Sequence, residues 1–330
     1  MPELTPSAAR LRAAAPGQRW TVRVRLPDGS ATDRLGWVEE IGSDAVTLAG
    51  PLDPADGSAA ARWTVPYPTV LLARRAPAAA GGPDPRRVPA DELERLAAPA
   101  WAARTAPLGE WTLRAGGGFT GRANSCLAVG DPGMGTVEAV AAVRAYAAAH
   151  GIPPLAQVVT GSASDEALRA LGWQDAYVAT DVLAVRLADL LDGRDANPAV
   201  RVDDVLTPAW RAAFDQSRPT STDPAWVSAV LDGRALRAFA SRAEQGVATA
   251  IARGHLGGRW LGLAAIWTSP AHRRRGLATS LIVTLGHWAA RRGARYGYLQ
   301  VASANVDAQA AYARLGFVLH HRYHYLAPPD

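Results

Sequence analysis

The chain contains 330 residues, more than one ordinary domain needs, so we expect two or three domains. Its 48% hydrophobic and 20% charged residues are typical of soluble globular proteins, and no run of roughly 18 apolar residues could span a bilayer. The formal net charge is +5, and the basic residues are all arginines scattered along the chain, so we do not expect general nucleic-acid binding.

The cysteine content and the N-terminus indicate the compartment. Cys126 is the only cysteine, which excludes an intramolecular disulfide and a multi-cysteine metal site. Residues 1–16 lack a continuous apolar segment ahead of a cleavage site. We therefore interpret them as a tail and expect a cytoplasmic protein.

Residues 17–75 alternate between short strand-like segments and turns. In residues 19–26 an apolar side chain occupies every second position, and Asp28-Gly29 then supplies a tight turn. Three further segments follow, each bounded by Gly, Pro or Asp, and Pro66 marks an edge or a break. This pattern predicts a small all-β barrel, and the stretch resembles an SH3-like domain.

Three aromatic residues in this stretch have two interpretations. SH3-like barrels bind peptides through aromatic side chains, and Trp37, Trp63 and Tyr67 are candidates for that role. The same side chains would also fill the barrel core, which is the interpretation we favour.

Two segments rich in turn-forming residues divide the rest of the chain. We interpret residues 76–90 as a linker and residues 192–198 as a second break, which leaves units at 91–191 and 198–330. We call these units the first and the second copy, because their turns match in sequence and predict a duplicated βαβαβ unit. The matched positions are Gly151 with Gly293, Gly172 with Gly316, Trp173 with Phe317, and residues 133–136 with 276–279.

The strongest functional signal lies in residues 263–279 of the second copy. An apolar strand runs to Pro270, and a short loop rich in arginine then opens a helix. Backbone N–H groups of such a loop and of the helix N-terminus converge on one point, which makes an anion site. Gly276 and Ala278 lack the side chains that would keep a diphosphate away from those amides.

This segment resembles the pyrophosphate-binding motif of the GNAT superfamily of N-acetyltransferases, (Gln/Arg)-x-x-Gly-x-(Gly/Ala). Arg273, Gly276 and Ala278 occupy its three defined positions. The segment that follows matches the family through Asn305, Ala308, Tyr312, Gly316 and Phe317. The resemblance implies an α+β fold with a mixed GNAT sheet in two copies, a tandem arrangement, preceded here by the SH3-like barrel.

The resemblance also implies roles for individual residues. Tyr312 would be the general acid that protonates the departing thiolate, and an amide at the strand edge would polarise the thioester carbonyl. Singly, the arginine run is also typical of a solvated face, Asn305 of a helix N-cap and Tyr312 of a core aromatic, but their common spacing favours the site. The coenzyme-binding residues implied are Ile266, Trp267, Thr268, Arg273, Arg274, Arg275, Gly276, Leu277, Ala278, Thr279 and Asn305.

The general base is not evident from the sequence. Many relatives place a carboxylate near the start of the central strand, and residues 260–263 contain none. His255 and His321 remain as candidates, directly or through water. Alternation along a strand would place His320 and His324 on one face and His321 on the other, so we expect no metal site.

The first copy departs from the motif. Gly130 replaces the arginine, Asp131 adds a charge that repels phosphate, and the helix that should carry the tyrosine has Leu168 and no aromatic hydroxyl. We therefore predict that the first copy has lost catalysis. A polar segment in it contains Arg122 and Asn124, which either line a substrate cleft between the copies or seal their interface.

Together these features predict a cytoplasmic enzyme that transfers an acetyl group from acetyl-CoA to a primary amine by direct attack in a ternary complex. No metal or membrane partner is expected. The alternatives are a protein lysine acetyltransferase and a non-catalytic acyl-CoA-binding regulatory module. The acceptor, whether small molecule or protein, and the oligomeric state do not follow from the sequence.

Overall fold

The computed structural model describes residues 4–53, 57–101, 103–233 and 235–329. Its N-terminal part is a short helix packed on a five-stranded antiparallel sheet with the strand order β4-β3-β2-β1-β5. These elements are α1 (Pro6–Arg12), β1 (Arg19–Arg25), β2 (Ala31–Ile41), β3 (Ala45–Ala49), β4 (Arg62–Pro66) and β5 (Val70–Arg75).

The N-terminal sheet is open, so the prediction of a closed SH3-like barrel at residues 17–75 was wrong. Among the described strands, β4 and β5 form the two edges although only the turn at 67–69 separates them in the chain. The sheet therefore curls until these edges approach each other. Pro66 and Pro68 lie at this junction and have no N–H to donate, which works against a closing ladder.

The segment predicted as a tail contributes to this domain instead. Thr5 caps α1 by accepting a hydrogen bond from the Ala8 amide at 3.2 Å. Ala8 and Leu11 are fully buried in the same core as Val22 of β1. The prediction of a free tail at 1–16 was therefore wrong, because this short helix is held by packing that only the folded sheet supplies.

The aromatic residues of the N-terminal sheet fill its core. Trp37 and Tyr67 are buried, and Trp63 is partly buried against the same core. The interpretation that we favoured for these three residues is confirmed. The sheet docks on the second copy, where the Leu52 amide donates to the Arg291 carbonyl at 2.7 Å.

All the other described strands join one mixed sheet of twelve strands. In the first copy the elements are α2 (Ala90–Ala97), β6 (Arg104–Leu108), β7 (Trp111–Ala115), β8 (Cys126–Leu127), α3 (Thr136–Ala149), β9 (Ala156–Val159), α4 (Ala163–Ala170), β10 (Gln174–Asp175), β11 (Thr180–Arg186) and α5 (Leu187–Leu190). In the second copy they are β12 (Arg201–Asp203), α6 (Pro208–Ser217), α7 (Pro224–Asp232), β13 (Leu236–Glu244), β14 (Val247–Gly257), β15 (Trp260–Thr268), α8 (Leu277–Ala290), β16 (Tyr296–Ala302), α9 (Val306–Ala313) and β17 (Val318–Ala327).

The two copies exchange their last long strands. The sheet runs β12-β13-β14-β15-β16-β11-β17-β9-β8-β7-β6, with β10 beside β17. Strand β11 of the first copy therefore lies between β16 and β17 of the second, and β17 lies between β11 and β9 of the first. The ranges 91–191 and 198–330 thus do not form two separate sheets.

The predicted duplication is visible in this order. Strands β6 to β9 and β11 correspond to β13 to β16 and β17, and helices α3 and α4 correspond to α8 and α9. Each copy has one parallel pair, β8 with β9 and β15 with β16, whereas the exchanged strands pair antiparallel. The two halves are therefore related by an approximate two-fold axis between β11 and β17.

Helices cover both faces of the second copy's half of the sheet. On one face α5, α8 and α9 share an apolar core with strand residues such as Leu261 and Leu299. On the other face α6 and α7 enclose an aromatic core around Trp210 and Phe239. Within the described residues, no helix is both long and apolar enough to cross a membrane.

Candidate active site

A gap in the sheet opens between two parallel strands of the second copy. The ladder of β15 with β16 runs only from Trp260 opposite Tyr296 to Leu263 opposite Leu299. Just beyond it, the pairing of β15 with β14 shifts by one residue, and Ala265 takes a φ of 50°. This is a β-bulge, which bends a strand and ends regular pairing. The backbone edge of β15 beyond Leu263 thus has no described strand partner on the β16 side.

A cavity of about 340 Å³ occupies this gap. From the face that carries α8 and α9 it is lined by residues that include Ile266 and Tyr312. From the opposite face it is lined by Trp101, Phe119 and Phe214. The cavity therefore passes through the sheet, so two molecules entering from opposite faces would meet inside it.

The predicted anion loop directly follows β15. Arg274 has a φ of 64° and Gly276, the N-cap of α8, a φ of 74°, and Gly276 makes no side-chain cap. The amides of residues 277–279 belong to the first turn of α8 and have no intrahelical acceptor. These donors and the positive end of the helix dipole form a site for a phosphate group.

The three arginines of the loop differ in their partners. Arg275 forms an ion pair with Glu244 at 3.0 Å, and Arg273 donates to the Thr268 carbonyl at 3.4 Å. Within the described chain, Arg274 has no such partner. All three are exposed, so their charges reach solvent beside the first turn of α8.

The strand residues predicted to hold the coenzyme fall into two groups. Ile266 and Trp267 line the cavity, as does Asn305 at the start of α9. Thr268 lies outside the lining and pairs with Ala250 of β14. Asn305 also accepts a hydrogen bond from the Ala308 amide at 3.2 Å, so it is both an N-cap and a wall residue.

Tyr312 faces the cavity from α9 and is partly buried against the core. Its ring packs edge-on against Phe317, with centroids 6.1 Å apart. Burial raises the pKa of the Tyr312 hydroxyl above its usual range, so the group keeps its proton at neutral pH. The hydroxyl forms no hydrogen bond with the described residues. It is therefore free to donate to a group in the cavity.

The first copy supplies part of the opposite wall through Thr120 and Arg122. Buried Asn124 fixes this segment, because its Oδ1 accepts from the Gly116 and Gly118 amides and its Nδ2 donates to the Phe119 and Thr120 carbonyls. Of the two interpretations of the segment, the cleft applies to Arg122. Asn124 shapes the loop instead.

Neither candidate base lines the cavity. His255 is buried, and its Nε2 lies 2.7 Å from the Tyr298 hydroxyl. Burial and then the charge of Arg253 lower the pKa of His255 well below its usual range, so it is neutral. His321 is also nearly enclosed, with its Nε2 2.9 Å from Glu94 Oε1.

The alternation predicted for the three C-terminal histidines was wrong. A bulge in the pairing of β11 with β17 breaks the register near His320, and the Nδ1 atoms of His320 and His321 lie 2.7 Å apart. His324 contacts Asp165 instead, at 2.9 Å. Among the described residues there is no group of three His, Cys, Asp or Glu side chains that could hold a metal ion.

A buried carboxylate near the cavity escaped the sequence analysis. Glu94 of α2 is 2% exposed and accepts hydrogen bonds from Gln157 at 2.6 Å and from Gln300 at 3.4 Å. Gln300 lines the cavity, so one side chain separates Glu94 from it. The available signal was helical spacing, since Glu94 lies on the same face of α2 as buried Ala97.

The matching loop of the first copy is occupied by carboxylates. Asp131 Oδ1 accepts from the Gly133 amide at 2.8 Å, and Glu110 Oε2 accepts from the Asp131 amide at 2.7 Å. Leu168, opposite Tyr312 in the repeat, is fully buried in an apolar core. The first copy thus offers negative charge where the second offers free amides.

The fold can now be compared with known structures. A GCN5-related N-acetyltransferase from Kribbella flavida is 18% identical with a TM-score of 0.51, and the match covers 73% of this chain and 96% of that one. A tandem GNAT protein from the clavulanic acid biosynthesis pathway is 17% identical with a TM-score of 0.45, covering 59% and 70% respectively. The first of these shows that the fold is of the GNAT type.

A family model identifies the chain more closely. The model described as "Probable histone acetyltransferase Rv0428c C-terminal" matches residues 90–326, so the chain belongs to this family of GNAT acetyltransferases. No curated protein matches the chain.

Proposed function

We propose that this acetyltransferase binds one acetyl-CoA in its second copy and transfers the acetyl group to a primary amine. The observation that carries the proposal is the cavity through the sheet, which has the α8 loop at one end and an unpartnered tyrosine hydroxyl in its wall. Structures of an aminoglycoside N-acetyltransferase, AAC(6')-Iy, have been solved with CoA and with a CoA-linked bisubstrate analogue.

The coenzyme would lie along the gap in the sheet. The first-turn amides of α8 would bind the pyrophosphate, with Arg273 and Arg274 adding charge. The pantetheine would follow the free edge of β15 at Ile266 and Trp267, and an amide of that edge would polarise the thioester carbonyl. The bulge at Ala265 leaves this edge unpaired, which is what such binding requires.

The amine would enter from the face of α6 and α7 and attack the thioester carbonyl carbon. The new C–N bond forms, the C–S bond breaks, and Tyr312 donates its proton to the departing thiolate. The amine loses one proton, which returns through solvent to Tyr312. Holding both reactants in one cavity replaces an encounter in solution.

The cavity wall contains no carboxylate or imidazole among the described residues. The amine must therefore arrive neutral, and kcat/KM should rise about tenfold per pH unit below the pKa of the amine. A flat profile through this range would indicate a base, for which Glu94, behind Gln300, is the nearest group.

A second candidate function is acetylation of a protein lysine, which the description of the matched family favours. The third possibility, a regulatory module that binds acyl-CoA without turnover, is separable by experiment. Release of free thiol from acetyl-CoA should be measured with a panel of amines, beside calorimetric binding of acetyl-CoA. The proposal predicts binding and amine-dependent thiol release. Binding without release for any amine would leave only the regulatory module, and absence of binding would refute the site.

A further inference from the structure

The acceptor side of the cavity carries two positive charges and no negative one. Arg122 and Arg218 both line it, together with the hydroxyl groups of Thr120 and Ser217. None of the described residues that line the cavity is an aspartate or glutamate. This composition is opposite to that expected of a site for a polycationic acceptor.

Arg122 is held in place but keeps hydrogen-bonding capacity. Its guanidinium stacks over Trp101, 4.9 Å from the ring centroid, and its Nε donates to the Tyr323 hydroxyl at 3.0 Å. Within the described chain no carboxylate lies within 4.0 Å of it, and its two terminal nitrogens have no hydrogen-bond partner. An arginine offers five N–H donors in a rigid fork, so most of them face the cavity unused.

The backbone around Arg122 is built to hold this orientation. Thr120 has a φ of 60°, a conformation that β-branched residues rarely adopt, and Asn124 bonds to both sides of the turn. Strain of this kind costs about 1–3 kcal/mol and persists where surrounding contacts impose it. The turn therefore presents Arg122 in a fixed position.

Arg218 supplies the second charge from the C-terminal end of α6, at the rim of the cavity. Burial and then the charge of Arg122 lower the pKa of Arg218, which indicates that the two guanidinium groups are close enough to repel. Within the described chain, Arg218 has no ion-pair partner or side-chain hydrogen bond. Two close cations without a counter-ion form a recognition site for an anion.

We infer that the acetyl acceptor is a small amine that carries a carboxylate, an amino acid or a molecule of similar chemistry, which Arg122 and Arg218 bind. This inference rests on the proposed function, since it concerns the acceptor of the same site. Arg122 pairs with the carboxylate through its free terminal nitrogens, and Arg218 closes the rim. A lysine-rich peptide or a polyamine brings further positive charge beside these arginines and is disfavoured.

The test compares acceptors that differ in one charge. Acetyl transfer should be measured with a panel of amino acids, with their C-terminal amides, with the amines that lack the carboxylate, and with a lysine-rich histone-tail peptide. We expect kcat/KM for the best amino acid to exceed that for its amide by roughly ten- to a hundredfold, the range of a charge-assisted hydrogen bond.

Variants then connect this preference to the two arginines. Arg122→Gln and, independently, the rim variant Arg218→Gln should each lower the preference for the acid over the amide at least about tenfold. Neither should change the affinity for acetyl-CoA. Arg144→Gln, an exposed position on α3 away from the cavity, is the matched control and should leave both quantities unchanged.

The outcomes separate the two proposals. Equal or better transfer to the amides, the amines or the histone-tail peptide would overturn the acidic acceptor and leave the acetyltransfer itself in place. An acid preference that survives both arginine variants would also overturn it. Intact acetyl-CoA binding with no transfer to any amine would overturn the proposed function, and the inference with it.

Discussion

The two copies of the repeat present the same loop before the same helix with opposite charge. Gly133 and Gly276 both have a φ of 74°, so the two turns share a backbone conformation. In the first copy the Gly133 amide is used by Asp131, with Glu110 behind it. In the second copy the first-turn amides of α8 have no carboxylate cap, and arginines flank them. A conserved backbone thus becomes an anion site or a closed turn according to which side chains reach its amides.

The gap in the sheet shows the same division of labour. The second copy contains the bulge at Ala265 and the cavity-facing Tyr312, whereas the first copy has buried Leu168 in the corresponding helix. The first copy contributes to the acceptor wall instead, through Thr120 and Arg122. We interpret the first copy as a scaffold that lost the coenzyme and kept contact with the acceptor.

The largest expected effect breaks this comparison at its two equivalent glycines. Gly276→Glu places a side chain and a negative charge at the pyrophosphate position, and should abolish acetyl-CoA binding. At a ligand concentration of about 100 Kd the wild type should gain roughly 2.7 kcal/mol of stability from acetyl-CoA, and this variant none. Thermal unfolding with and without the ligand measures it.

Gly133→Glu is the matched control, because both glycines have the same φ and a Cβ at either meets no atom closer than 3.6 Å. Any cost of the left-handed backbone is therefore shared. Gly133→Glu should retain the full stabilisation by acetyl-CoA. Unchanged stabilisation in Gly276→Glu would refute the placement of the pyrophosphate.

A smaller effect is expected at the tyrosine that only the second copy has. Tyr312→Phe removes the acid and keeps the ring, so turnover should fall by roughly ten- to a thousandfold, while acetyl-CoA affinity barely changes. The loss should shrink for acyl donors with better leaving thiols. Tyr146→Phe on α3 is the control and should retain activity.

Two results at this position would contradict the account. Full turnover by Tyr312→Phe would place the proton donor elsewhere. A loss of coenzyme affinity in the same variant would show that Tyr312 acts mainly as part of the cavity wall.

The smallest effect concerns the carboxylate beside the open loop. Glu244 pairs with Arg275 from the surface, unlike Glu110, which bonds a loop amide. Because an exposed pair is worth about 0.2–1 kcal/mol, Glu244→Gln should tighten acetyl-CoA binding by no more than about fivefold, and less at high salt. Calorimetry at two salt concentrations tests this. Weaker binding would mean that Glu244 positions the loop.

Local sequence signals predicted the anion loop and the matching turns, because both depend on residues adjacent in the chain. The strand exchange was not predictable in this way, since a repeat shows which strands are equivalent but not which copy each one pairs with. Arg122 became a wall residue, and Glu94 a neighbour of the cavity, through contacts more than a hundred residues distant, to Tyr323 and His321.

Irregular backbone explains the other differences. Alternation failed at His320 because a bulge there shifts the register of β17 by one residue. The N-terminal barrel stayed open at Pro66 and Pro68, which were recognised as a break but whose position relative to both edges depended on the curl of the sheet.

The measurement that tests the central claim most directly is a calorimetric titration of the whole chain with acetyl-CoA. The account predicts one site per chain, because only the second copy has free loop amides. Two equivalent sites would contradict it, by showing that Asp131 and Glu110 do not close the first copy.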